Sequence, residues 1–352
     1  MKIAVDAMGG DYAPAAIVEG AVWAARDMNI PAILVGDRAR IESELKRQKA
    51  EGLPINVVHA SEVVGMGDSP AKAIRNKKDS SIRVCLNLVK RGEADAVVSA
   101  GNSGAAMAAA VFVLKRLKGV ERPAISVCLP TMKELTVLLD AGGNVDCKPS
   151  HLYQFAVMGD VYARDILKRR SPRIGLLSNG EEEGKGNELT RETNGLLRKG
   201  GLNYIGYMEG RDIYTGEVDV VVCDGFVGNV VLKTSEGVAD AIVTMLKAEV
   251  RKSLTAKIGC LIAKGVFRGV KLKIDYSEYG GAPLLGINGT CIISHGGSTA
   301  KAIRNAIMRA NEYASRHVNT HMAESLERET ALCLADSDVA GATDGGERRR
   351  RS

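Results

Sequence analysis

Aromatic residues make up only 4% of this 352-residue chain. A core of that size must then be built from Val, Ile, Leu and Ala. Histidine is also scarce, at five residues, and nothing has the spacing of a metal-ligand cluster, so no metal is expected. The seven cysteines include no Cys-x-x-Cys pair, which excludes a disulfide scaffold and fits reduced thiols. No apolar run is long enough to cross a bilayer, and the N-terminal residues 1–6 read as a strand rather than a signal peptide. A cytoplasmic location is the expectation. No Gly-x-Gly-x-x-Gly follows the first strand. The stretch Gly180-Glu181-Glu182-Glu183-Gly184-Lys185-Gly186 is one residue short of a P-loop, and Gly186 stands where Ser or Thr would hold magnesium. Dinucleotide and nucleoside triphosphate sites are therefore excluded. Gly101-Asn102-Ser103-Gly104 is likewise one residue short of a nucleophile elbow.

Glycine and positive charge are what the chain does have. Its 39 glycines fall mostly where apolar runs end, as tight loops at strand ends require. The formal net charge of +6 suits an anionic partner without specifying nucleic acid, and none is expected. Short β-rich runs at residues 2–6, 32–36, 55–59 and 95–99 alternate with helical spacing at 13–27, 38–50 and 69–91. That alternation predicts a mostly parallel sheet with helices on both faces. Residues 124–129 and 135–140 are too close for a helical crossover and should pair antiparallel, making the sheet mixed. A second α/β stretch follows, with a helix from Ser150, strands at 174–178, 204–208 and 218–223, and a helix from Asn187. Residues 228–270 read as a long two-helix hairpin joined near Lys252 and Ser253. A last strand at 289–294 leads into a helix from Ser298. The expectation is one αβα sandwich domain over 1–322. From Ala323 the composition reads as a disordered tail ending in four arginines.

Five strand ends run directly into small, polar, glycine-containing loops. They begin at Asp6 (with Gly9 and Gly10), Ser99 (with Asn102 and Ser103), Asp140 (with Asn144), Cys223 (ending at Asn229) and Ser294 (with His295 and Ser298). Ligands of open α/β sheets bind at the carboxyl ends of strands, where glycine exposes backbone N–H groups and the next helix N-terminus favours an anion. Together the loops predict an anion-binding cleft. The octapeptide Ser69-Pro70-Ala71-Lys72-Ala73-Ile74-Arg75-Asn76 recurs as Ser298-Thr299-Ala300-Lys301-Ala302-Ile303-Arg304-Asn305, with seven of eight positions identical. Each copy starts with a residue suited to helix capping and puts Lys and Arg on one face. Two helix-borne cationic pairs, or two amphipathic helix starts of common residues, fit equally. Arg75, Lys77 and Lys78 form a basic stretch able to steer an acidic partner.

In order and spacing, Asp6–Pro14, Ser99–Gly104, Asp140–Pro149, Lys185–Leu189, Cys223–Asn229 and Tyr279–Gly286 resemble the PlsX-type phosphate acyltransferases. The resemblance runs from Met1 to about Ala314. It implies a three-layer αβα fold of the phosphotransacetylase and isopropylmalate-dehydrogenase type, a homodimer, and no cofactor. It also implies transfer of a long-chain acyl group from acyl carrier protein to inorganic phosphate. The acyl phosphate would then serve a membrane glycerol-3-phosphate acyltransferase in phospholipid synthesis. The family's catalytic positions fall on Lys185 and Asn229. Asp6, Gly9, Gly10, Lys72, Arg75, Asn102, Ser103, Asp140, Asn144, His295 and Ser298 are the expected substrate contacts. The alternatives are a phosphotransacetylase acting on short-chain acyl-coenzyme A, and a non-catalytic basic protein binding nucleic acid or anionic lipid.

Between Arg251 and Lys273 lie seven basic residues and no acidic one. Lys257, Lys264, Arg268 and Lys271 share a helical face, and Leu254, Ile258, Leu261 and Ile262 supply apolar positions. A basic amphipathic helix of this kind can lie on the inner face of an anionic membrane, as a peripheral contact, or pack in a dimer interface.

Overall fold

The computed structural model describes residues 1–274 and 280–347, with side chains described up to Val270 and from Gly280 to Leu332. Tyr279, the Lys271 side chain and the four terminal arginines lie outside the described residues.

The strands are β1 (Ile3–Asp6), β2 (Ala32–Gly36), β3 (Ile55–His59), β4 (Ala96–Ser99), β5 (Ala124–Ile125), β6 (Val127–Pro130), β7 (Leu135–Leu139), β8 (Ile174–Leu177), β9 (Tyr204–Met208), β10 (Val220–Val222), β11 (Ala282–Leu285) and β12 (Cys291–Ile293). They divide between two sheets, in the orders β3-β2-β1-β4-β12-β11-β5 and β6-β7-β10-β8-β9. Both are mixed. The pair β6 and β7 is antiparallel, as the short connection requires, and β11 runs antiparallel to β12 and β5. A single continuous sheet was expected. Its division occurs at Ser126, the one residue between β5 and β6. Strand β11 was not foreseen, because Ala282-Pro283-Leu284-Leu285 follows two glycines and contains proline, which reads as a loop.

The helices are α1 (Ala15–Met28), α2 (Arg38–Arg47), α3 (Pro70–Asn76), α4 (Ser81–Lys90), α5 (Ser103–Leu114), α6 (Pro149–Asp165), α7 (Glu188–Lys199), α8 (Gly225–Arg251), α9 (Leu254–Ile262), α10 (Lys264–Ile274), α11 (Ala300–Ser315) and α12 (Val318–Glu347). Strand residues alternate between the two faces of the seven-stranded sheet. Ile3 and Val5 pack with α1 and α11 on one side, while Ala4, Ile33 and Val35 pack with α4 and α5 on the other. In the second half α6 is the central helix. Leu152, Phe155 and Tyr162 are fully buried there, each worth about 1.5–3 kcal/mol in removed apolar surface. Gly159 lets the helix settle onto β10, since a Cβ there would stand 2.5 Å from Val220 Cγ1.

Three helical expectations change. Residues 69–91 form α3 and α4 rather than one helix. Between them the Asp79 carboxylate accepts from the Ser61 amide and hydroxyl at 2.8 and 2.6 Å, which ties the chain to the loop after β3. The two-helix segment is three helices. The break at Lys252 is where it was expected, with Ser253 capping α9 by accepting from the Ala256 amide at 3.3 Å. A second break falls at Ala263, between Gly259 and Gly265, where helix propensity is poor.

The expected boundary at 323 falls inside α12. Met322, Ser325, Leu326 and Glu329 recur at helical spacing and are all buried, in a helix that packs on α6. The Tyr153 hydroxyl donates to Glu329 Oε2 at 2.9 Å and the Gly201 amide donates to the same oxygen at 3.0 Å. A polar composition concealed a narrow buried stripe.

Candidate active site

The five glycine-containing loops gather on the carboxyl edges of the two sheets. Strands β1, β4 and β12 are adjacent and parallel, so the loops at Asp6, Ser99 and Ser294 lie side by side. Strands β7, β10 and β8 are likewise adjacent and parallel, which aligns the Asp140 loop, the start of α8 and the Lys185 loop. The two groups meet at Gly143, where a Cβ would lie 3.2 Å from Met107 Sδ of α5.

In the first group Asp6 is buried. Its Oδ2 accepts from the Ser99 hydroxyl at 2.7 Å and its Oδ1 from the Met8 amide at 3.3 Å. Burial pushes its carboxyl above the ordinary value, against the opposing pull of the Ser81 and Ser99 hydroxyls. Gly9 is confined by the same carboxylate. A Cβ there would lie 2.7 Å from Asp6 Oδ2 and 2.8 Å from the Gly101 nitrogen. Asp6 thus shapes the loop from beneath. Asn102 has a similar structural duty. Its Oδ1 caps α5 by accepting from the Ala105 amide at 3.0 Å, while its Nδ2 donates to the Met66 and Asp68 carbonyls at 2.9 and 3.1 Å. Its side-chain amide is committed to the fold, and Ser103 is the exposed polar residue at that helix N-terminus. His295 is exposed and accepts at Nδ1 from the Gly297 amide at 3.1 Å.

The repeated octapeptides begin helices on opposite faces of the seven-stranded sheet, α3 against α5 and α11 against α1. They are not matched caps. Ser69 occupies the cap position of α3 without a side-chain bond, and the cap of α11 is Thr299, accepting from the Ala302 amide at 3.4 Å. Ser298 is buried one residue earlier. Lys72 and Arg75 are exposed on α3. Lys77 is tied down, donating to Asp68 Oδ2 at 2.7 Å and to the Val63 carbonyl at 2.6 Å.

In the second group Asp140 is fully buried and organises everything around it. Its Oδ1 accepts from the amides of Ile125, Gly142 and Gly143 at 3.0, 3.3 and 2.9 Å. Its Oδ2 accepts from the Asn144 amide and Nδ2 at 2.6 and 2.8 Å. Burial raises the carboxyl, and these donors oppose that rise. Asn144 also donates from Nδ2 to the Pro123 carbonyl at 2.7 Å. Asp140 and Asn144, expected at substrate, form a buried scaffold toward which the Gly142 and Gly143 amides turn inward.

Helix α8 starts hard against that scaffold. The Gly225 amide donates to the Asn144 carbonyl at 2.7 Å, and Asp224 caps the helix by accepting from the Val227 amide at 2.9 Å. Asn229 is therefore within α8 rather than in the loop, and it is free of capping duty. It is exposed, and its side chain lies on Gly142 (φ +129°), within 3.4–3.5 Å of a Cβ placed there. Lys185 is exposed between Gly184 and Gly186, with its aliphatic stem over Gly180. The ends of its loop are fixed. The Gly186 amide donates to Asn179 Oδ1 at 2.9 Å, and Arg191 Nη1 donates to the Gly186 carbonyl at 3.0 Å. A fixed loop carrying a flexible cation places a point charge at the edge of the site.

Covalent chemistry through sulfur finds no support. Burial pushes the Cys147 thiol up to about 12, and Cys291 likewise to about 12. Among the described residues no group of three or more His, Cys, Asp or Glu side chains is arranged to hold a metal ion. What the edge presents is helix N-termini, one amide side chain and one lysine, which is a means of holding an oxyanion or phosphate.

Residues 1–321 match the family model described as "Fatty acid synthesis protein". The chain is similar to the phosphate acyltransferase of Geotalea uraniireducens (strain Rf4), 63% identical over 96% of this chain and 98% of that one. It is similar also to the phosphate acyltransferase of Geobacter sulfurreducens, at 61% identity with the same coverage. Among solved structures it is similar to the EutD phosphotransacetylase from Staphylococcus aureus, with TM-score 0.56 and 16% identity over 89% of this chain and 94% of that one. A phosphotransacetylase from Streptococcus pyogenes has TM-score 0.56 and 19% identity over 93% and 94%. At such identities the structures bear on the fold alone, and it is the phosphotransacetylase-like αβα fold expected. The chain belongs to the fatty acid synthesis protein family, beside the phosphate acyltransferases that it matches over nearly its whole length.

Proposed function

We infer that this protein transfers a long-chain acyl group from acyl carrier protein to inorganic phosphate, making acyl phosphate for phospholipid synthesis. It is an acyltransferase. The observation that carries this reading is the near full-length match to phosphate acyltransferases at about three residues in five. The helix N-termini at the carboxyl edge and Lys185 supply the chemistry that such a reaction needs.

In the proposed reaction a phosphate oxygen attacks the thioester carbonyl carbon directly. The carbonyl becomes an oxyanion, the C–S bond breaks, and the phosphate proton ends on the departing pantetheine sulfur. Lys185 offsets the developing negative charge, and Asn229 donates an amide N–H to the oxyanion beside Gly142. Ser103 and the α5 N-terminus hold the phosphate, with Lys72 and Arg75 contributing from α3 and His295 and Ser298 from the loop after β12. No cofactor takes part. The test is incubation with palmitoyl acyl carrier protein and phosphate, following free carrier and hydroxylamine-trapped acyl product. Carrier release that depends on phosphate supports the reading. Turnover of acetyl-coenzyme A without turnover of the carrier-bound substrate would favour a short-chain phosphotransacetylase instead.

The helices α8–α10 belong to this reading as contact surfaces. Val238, Ile242, Met245 and Leu246 on α8 are exposed, an apolar face suited to a second copy in a homodimer. On α9 Leu254, Ile258, Leu261 and Ile262 are 60–83% exposed, with Lys257 and Lys264 alongside. That arrangement suits peripheral contact with an anionic bilayer, near a membrane glycerol-3-phosphate acyltransferase that would consume the product. No described helix is long and apolar enough to cross a membrane. Co-sedimentation with anionic vesicles separates the two roles. Leu254→Glu and Ile258→Glu should abolish vesicle binding while leaving dimer and soluble activity intact, and loss of the dimer would assign α9 to the subunit interface.

A further inference from the structure

Helix α5 is apolar on every side, with the sequence Ser-Gly-Ala-Ala-Met-Ala-Ala-Ala-Val-Phe-Val-Leu. A helix of that composition is ordinarily buried all round. Here one stripe is only partly covered, with Pro70 over Gly104 and Gly143 beside Met107 at its upper end. Gly104, Met107, Ala108 and Val111 are half-buried, and Phe112 is 52% exposed. The stripe starts beside Ser103 on the carboxyl edge and descends the length of the helix, roughly 18 Å at 1.5 Å per residue. It ends in a groove of about 760 Å³, lined by Val111, Phe112, Leu117 and Val120 together with Lys115 and Arg116.

Positive charge is concentrated at that end. The Arg83 guanidinium lies 5.1 Å from the Phe112 ring centroid and Lys115 Nζ lies 5.2 Å from it. Arg83 donates to the Ile74 carbonyl at 2.8 Å, and Arg116 donates to the Glu121 carbonyl. None of Arg83, Lys115 and Arg116 pairs with a carboxylate among the described residues. The neighbouring acids are committed elsewhere, Glu121 to His151 at 3.1 Å and Glu327 to Lys118 at 3.2 Å. An exposed aromatic ringed by uncompensated cations is the composition of an interface hot spot awaiting acidic groups.

We propose that acyl carrier protein docks its acidic surface on the Phe112 groove, against Arg83, Lys115 and Arg116, and lays its pantetheine arm along the α5 stripe toward the carboxyl edge. This rests on the acyl-carrier reading of the function. Three features make the occupant a carrier protein rather than a free small thioester. The cations answer the acidic surface of a carrier, the groove gives it an apolar seat, and the small side chain of Ala108 leaves a shallow track from the groove toward the site. In the Arg75–Lys78 stretch Lys77 is already paired with Asp68.

The test compares wild type with Arg83→Glu/Lys115→Glu and, separately, with Ala108→Phe. Binding of fluorescently labelled acyl carrier protein is measured by anisotropy, and turnover by phosphate-dependent carrier release. The charge-reversed protein should bind the carrier about tenfold or more weakly and raise its KM to match, with kcat and the KM for phosphate unchanged. Wild-type binding should fall with added salt, and the variant should lose most of that dependence. Ala108→Phe should lower kcat/KM for the carrier substrate while carrier binding stays intact. Unaltered binding and KM in the charge-reversed variant, with its circular dichroism spectrum native, would overturn the docking site. A change in sedimentation coefficient would assign the groove to a contact between copies of the chain and overturn it equally. If wild type binds the carrier without releasing it in the presence of phosphate, the functional reading fails while the docking measurement still stands.

Discussion

The carbonyl oxygen of Asp140 lies against Gly228, so close that a Cβ there would stand 1.9 Å from it. No side-chain adjustment relieves a clash with backbone. Gly228→Ala must push α8 away from the Asp140 loop, and with it Asn229, one residue on. Overpacking of this kind costs about 1–3 kcal/mol or more. A melting temperature lowered by several degrees, with activity reduced further than stability alone explains, is the expected result. A variant with native melting temperature and activity would show that the two elements do not need this approach.

Lys185 and Asn229 sit at exposed positions, so their removal should hurt chemistry and spare folding. Lys185→Ala and Asn229→Ala should each raise the barrier by about 2–4 kcal/mol, the range for a lost oxyanion donor. Steady-state kcat/KM measured beside thermal melting checks both halves. Near-wild-type turnover in either folded variant removes that residue from the mechanism.

Cys147 lies next to the Asp140 loop, its thiol donating to the Asn144 carbonyl at 3.5 Å. With its titration pushed up to about 12, the thiol is protonated at neutral pH and becomes thiolate only as the pH approaches that value. Iodoacetamide at pH 7.5 should leave Cys147 unmodified by mass spectrometry, and Cys147→Ala should retain acyl transfer. An acyl group trapped on Cys147 would replace direct attack with a two-step mechanism.

The buried stripe of α12 predicts sensitivity where the composition promises none. Leu326→Ala should cost about 2–5 kcal/mol as a large-to-small core change. Glu329→Gln should cost about 1–3 kcal/mol by weakening acceptance from Tyr153 and the Gly201 amide. Thermal melting of the two variants measures this, and unchanged melting would mean that α12 is dispensable to the core.

The strand-ending glycine loops and the parallel runs that feed them were legible because alternating apolar segments and Gly clusters are local signals. Sheet division at Ser126 was not, since it depends on which distant strand captures β5. Asp6, Asp140, Asn144 and Asn102 looked like ligand groups because they are polar and lie at strand ends, yet each spends its side chain on backbone amides or carbonyls of its own or neighbouring loops. Burial decides that distinction, and a linear sequence does not display it. Glu329 was missed for the converse reason: one buried carboxylate in a polar helix leaves no trace in composition. The groove at Phe112 had a readable signal in retrospect, a helix apolar on all sides followed at once by Lys115 and Arg116.

The Asp140 carboxylate bonds the Ile125 amide, and the Ala141 amide returns a bond to the Ile125 carbonyl at 2.9 Å. Ile125 belongs to one sheet, and Asp140 immediately follows a strand of the other. This reciprocal pair rivets the two halves of the molecule together beside the site. A hinge running through that point would have to break both bonds. Any closure of one half on the other must then pivot away from this joint, leaving the Asp140 loop and the end of β5 to move together.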